Sequence, residues 1–82
     1  MAKILLECES HNQAECEEMS RELEELGVPD VLKGTEFACS CPFGVHGGWG
    51  VVEAPDEKAA LAGFGPANRA HLKAYAVEVV KF

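Results

Sequence analysis

The segment Cys39-Ser40-Cys41-Pro42-Phe43-Gly44-Val45-His46 places two thiols and an imidazole within eight consecutive positions. Thiolate sulfur and imidazole nitrogen are the donors that zinc and copper(I) prefer, and imidazole suits nickel as well. Cys39 and Cys41 are two residues apart, so an extended backbone would point both sulfurs to one side of a sheet. The Pro42-Phe43-Gly44 turn can reverse the chain and return His46 towards them. These residues form a candidate set for Zn, Cu or Ni, with a fourth position for Cys8, His71, water or a second copy of the chain. No spacing is the paired C-x-x-C of a zinc ribbon or a thioredoxin-like site. The same thiols without metal would make a redox-sensitive hairpin.

The bulk properties bound the answer. Eighty-two residues make one domain, 1–82, whose core is small enough that a metal, a disulfide or dimerisation is a common supplement. The net charge of −7, with seven scattered Lys and Arg, argues against nucleic acid, which requires a basic face, and against anionic membranes. No apolar run approaches a membrane span, and the opening run stops at Glu7, too early for a signal peptide. A cytoplasmic location is expected, where cysteines are not a disulfide framework by default.

The elements that must position the candidate residues follow from periodicity. Ala2–Glu9 alternates as a strand, with Ile4, Leu6 and Cys8 on one side and Leu5 and Glu7 on the other. Asn12 is a helix N-cap with Glu15 as its reciprocal partner. Cys16, Met19, Leu23 and Leu26 then form one apolar stripe, which Gly27 ends. A second strand is expected over Val31–Cys41 and a third over Trp49–Ala54. Asp56 caps a short second helix, which Gly63, Gly65 and Pro66 stop, and Leu72–Phe82 is a fourth strand. The order β-α-β-β-α-β predicts an α+β, ferredoxin-like βαββαβ fold: four antiparallel strands in the order 4-1-3-2 with two helices on one face. Tyr75, Val77 and Val79 make the uncovered face of the last strand apolar, and Leu5 adds to it. A homodimer through that face is therefore expected.

Several short motifs carry a resemblance. They are Leu26-Gly27-Val28, Cys41-Pro42 with His46, Val52-Glu53-Ala54-Pro55-Asp56-Glu57-Lys58-Ala59-Ala60, and Phe64-Gly65-Pro66. With them the chain resembles the dimeric α+β-barrel group of ferredoxin-like proteins, and more narrowly its small prokaryotic families of unassigned function. The resemblance implies the fold and the dimer. It also implies a divalent transition metal at Cys41 and His46, as in some proteins of that shape. The copper chaperones of the heavy-metal-associated group differ, because Cys8-Glu9-Ser10-His11 stands where they carry Cys-x-x-Cys.

In such a topology every Cys and His falls at one pole of the sheet: the end of strand one, the start of helix one, the hairpin, and the start of strand four. Cys16 reads there as a structural thiol on the apolar stripe, and His11 as a surface residue before the cap. Metal affinity is thus expected in the hairpin. An alternative is a small-molecule site in the barrel, with Tyr75, His71, Glu53 and Trp49 as its polar and aromatic groups and His71 as general base. No nucleophile–base–orienter set accompanies them, so a binding module ranks above an enzyme, and a purely structural dimer is the third reading.

Overall fold

The computed structural model describes residues 1–82. The elements are β1 (Ala2–Cys8), α1 (Gln13–Leu26), β2 (Ala38–Cys39), β3 (Gly48–Ala54), α2 (Glu57–Leu61), α3 (Pro66–Arg69) and β4 (Leu72–Val77). The strands form one antiparallel open sheet in the order β2-β3-β1-β4, so the protein is α+β. No helix is long and apolar enough to cross a membrane.

Strand alternation sets the core. Ile4 and Leu6 of β1 lie opposite Val52 and Gly50 of β3, and opposite Ala76 and Ala74 of β4. Ile4, Leu6, Val52, Ala54, Ala60 and Phe64 are buried together. Only 13 of 82 residues are buried, so this one core is thin and leaves room for a stabilising partner or ion. Two inward positions of β3 are glycines for a reason. The Phe37 ring covers Gly48 and Gly50, and a Cβ on either would come within 2.5 Å of it.

Helix α1 begins as its sequence predicts. Asn12 Oδ1 accepts from the Glu15 amide at 2.8 Å, and Glu15 Oε1 accepts from the Asn12 amide at 2.9 Å. Its angle to the rest is held by Glu22, whose carboxylate accepts from the Ala67 and Asn68 amides at the start of α3. Asn68 Nδ2 donates to Glu22 at 2.8 Å and to the Met19 carbonyl at 3.0 Å. The Asn68 side chain, with these amides and Arg69, holds the Glu22 carboxyl below its ordinary pKa.

Three segments differ from the sequence expectation. The second strand is not Val31–Cys41 but Ala38–Cys39 alone. Pro29 fixes φ at −57°, Asp30–Leu32 forms a 3-10 turn, and Gly34 takes φ +76°, so the chain cannot stay extended before Phe37. The second helix is two helices, because Pro66 starts α3 at a position where its missing N–H costs nothing. The last strand stops at Val77, where the ladder to β1 closes at Lys3–Val77; residues 78–82 carry Val79, Val80 and Phe82 exposed.

The other sheet face has no layer over it. Leu5 pairs with Val51 and Tyr75, and Glu7 pairs with Trp49. Val51, Trp49 and Tyr75 remain about 40% exposed. The Glu7 carboxylate receives the Trp49 indole N–H at 3.3 Å and the Tyr75 hydroxyl at 3.4 Å, and Lys3 meets Glu53 at 3.3 Å.

Candidate metal centre

Four donor side chains from three segments meet at one end of the sheet. His11 comes from the β1–α1 loop, Cys16 from the N-terminal end of α1, and Cys41 and His46 from the β2–β3 loop. One ligand atom from each lies within 4.8 Å of all the others, and all four residues are half-buried. A tetrahedral zinc site with bonds of about 2.0–2.3 Å has ligand–ligand edges of roughly 3.3–3.8 Å. His11 Nε2 and Cys41 Sγ stand 3.7 Å apart, already one such edge. The remaining edges close with a contraction of at most about 1.5 Å.

Local chemistry explains the arrangement. Ser40 departs from extended geometry at φ −96° and ψ −2°, and Cys41–Phe43 turns as a 3-10 helix ended by Gly44 at φ +92°. The Ser40 amide donates to the Gly47 carbonyl at 3.1 Å and its hydroxyl to the Val45 carbonyl, which pins the loop into a closed ring. The reversal brings Cys41 and His46 back over the end of β1. His11 Nδ1 lies 2.9 Å from the Glu9 carbonyl. A carbonyl only accepts, so the proton sits on Nδ1 and the Nε2 lone pair faces Cys41. This is the orientation that metal-bound histidines use. The His46 Nδ1 atom is buried and has no hydrogen-bond partner. Native buried polar atoms rarely lack one.

The expected residues fall as follows. Cys41 and His46 are in the cluster, together with His11 and Cys16, which the sequence alone casts as surface and packing residues. The signal for both was the helix cap: Asn12 puts His11 just before the first turn and Cys16 just inside it, so both lie at the pole. Cys8 stands beside the cluster, its Sγ 3.7 Å from His11 Nδ1. Burial first, then the nearby Cys41, Cys39 and Cys16 and Glu9, push its thiol up to about 11. Cys39 is exposed on β2, and because Cys41 sits in a turn the two are not related by strand alternation. The Cys41 backbone favours the Cys39 thiolate, but desolvation and the Cys41 thiol outweigh it and raise the Cys39 pKa. His71 Nε2 is paired with Glu15 at 3.2 Å, and its ring lies 5.7 Å from that of His11. The His46 ring centroid is 5.2 Å from that of His11. Tyr75, Trp49 and Glu53 are on the open sheet face, away from this pole's inner side; in a single chain no cavity unites them with His71.

An apolar cavity of about 260 Å³ lies between α1 and the sheet, next to the cluster. All four cysteines line it, with Met19, Phe37 and Phe64. The chain matches no protein-family model, no curated protein and no solved structure. The geometry permits a metal ion at His11, Cys16, Cys41 and His46.

Proposed function

We propose that the protein is a homodimeric metal-binding module of the ferredoxin-like, dimeric α+β-barrel type, holding one zinc ion per chain. The observation that carries this reading is the convergence of two sulfurs and two imidazoles within 4.8 Å, one imidazole having a buried nitrogen without a partner. Two thiolates and two imidazoles match the tetrahedral preference of zinc better than the square-planar preference of nickel(II) or copper(II). Four protein ligands also close the shell. Catalytic zinc keeps an open position, so the centre serves binding or structure rather than catalysis. The thin core supports the same reading, because a cross-link between the β1–α1 loop, α1 and the hairpin adds what few buried residues supply. The half-exposed Leu5–Val51–Tyr75 face supports the dimer, as apolar sheet faces of this kind are normally covered.

Elemental analysis of protein purified without a metal-affinity tag tests the centre. One zinc per chain is expected, lost in Cys41→Ser and in His46→Ala. Metal-free protein that takes up no zinc, or a Cys16→Ala/Cys41→Ser double variant that binds as tightly as the parent, overturns the reading.

A further inference from the structure

Helix α1 is held away from the sheet that its apolar stripe should cover. Cys16, Met19 and Leu23 of that stripe line the cavity of about 260 Å³, while the main packing partner of the helix is α3. The tie to α3 is polar. Glu22 accepts from the Ala67 and Asn68 amides, and Asn68 Nδ2 donates to Glu22 and to the Met19 carbonyl. The helix cannot settle onto the strands without giving up hydrogen bonds of buried Asn68. Native interiors hold few voids larger than a water molecule, and a chain with so small a core can least tolerate one. An apolar cavity of about 150 Å³ takes a benzene ring, so one of about 260 Å³ has room for a fused bicyclic ring.

The lining sets the chemistry of an occupant. Leu23, Leu32, Phe37, Phe64 and Leu72 join Met19 and the thiols, and no charged side chain is among the residues that line the cavity. A charge carried into it would have no partner. Asn68 has spent both amide hydrogens, so the one side-chain group it can offer is an acceptor, Oδ1. Exposed Ser20 and Cys39 mark where the cavity reaches solvent. We propose that this cavity is a binding site for a compact, neutral aromatic molecule of bicyclic size, carrying at most one N–H or O–H donor. The site borders the metal centre through Cys16 and Cys41 but needs no ion, and so goes beyond the function proposed above.

The test follows the methyl signals of methionine-labelled full-length protein, as purified, by NMR while indole is added. Met19 lies on the cavity wall and Met1 is exposed, so one methyl reports the cavity and the other the solvent. Indole is expected to shift Met19 saturably, with a dissociation constant on the order of 1 mM or tighter, and to leave Met1 unmoved. Benzoate has as many non-hydrogen atoms but carries a charge, and is expected to move neither signal. Leu23→Trp puts a ring system of its own on the α1 wall and should weaken indole binding about tenfold or more. Circular dichroism checks its fold; if it unfolds, the indole–benzoate comparison on the parent decides. A Met19 shift that never saturates, benzoate binding as tightly as indole, or a folded Leu23→Trp that keeps the parent's affinity overturns the site. Zinc content is read separately, so a parent that binds indole without holding zinc keeps the cavity site and loses the metal centre.

Discussion

His46 carries the prediction that best separates a metal ligand from a packing residue, because its substitution should have opposite consequences with and without zinc. Its Nδ1 is buried and no protein atom partners it. Such an orphan costs about 1–3 kcal/mol, and truncation removes that cost along with a half-buried ring worth about 1–2 kcal/mol of apolar contact. The two nearly cancel, so metal-free His46→Ala should lie within about 1 kcal/mol of the parent. For a chain of 82 residues the unfolding entropy is about 170 cal/mol/K, so 1 kcal/mol moves Tm by about 6 °C. Zinc at 100 times the parent's Kd adds about 2.7 kcal/mol, a rise of about 16 °C. Loss of a ligand weakens binding by about 100-fold or more, the upper end for even indirect partners, and leaves the variant a rise of about 2 °C at the same zinc concentration. Scanning calorimetry of both proteins in chelator and in zinc measures all four values. An equal zinc-induced rise in parent and variant would refute the reasoning. So would a metal-free variant that melts more than about 12 °C below the parent, since His46 would then be a structural residue.

Cys16→Ala should shrink the zinc-induced rise in Tm as His46→Ala does, whereas affinity confined to the hairpin would leave the full rise. Gly50→Ala should cost about 1–3 kcal/mol by urea denaturation, because its Cβ meets the Phe37 ring, which cannot move without disturbing β2. Glu22 has a folded pKa below its ordinary 4.5, so its contribution is present above that value and is lost as pH falls through the lower folded pKa. The urea midpoint of the parent should therefore drop more steeply below pH 4.5 than that of Glu22→Gln; parallel curves would contradict this. Cys8, raised to about 11 from 9.0, should react with iodoacetamide far more slowly than exposed Cys39 at pH 8.5, read by mass spectrometry. Val51→Asp on the open sheet face should halve the mass seen by light scattering, and a parent already monomeric at micromolar concentration argues against the dimer.

Local signals were enough for the start of α1 and the faces of β1 and β3, and the expected strand topology added the gathering of thiols and imidazoles at one pole. The Asn12–Glu15 cap and the Ile4/Leu6/Cys8 alternation depend on neighbours within a few residues, and such interactions are written in the chain. The boundaries of β2 and β4 were not legible. Phe37 reads as a strand residue, but it ends up lying over Gly48 and Gly50, and that contact exists only once β2 meets β3. Pro66 reads as a helix stop and instead starts α3, because the Glu22 carboxylate from α1 receives the freed amides beyond it. The identity of the four converging donors was also a tertiary matter. Donor chemistry follows from residue type, but distance follows from which turn folds where. The 3-10 turn at Cys41–Phe43 separates Cys41 from Cys39, and α1, tied down through Glu22 and Asn68, carries Cys16 to within reach of His11 and His46. Sequence alone decided that soft ligands would be available at this pole; only packing between segments far apart in the chain decided which of them could share an ion.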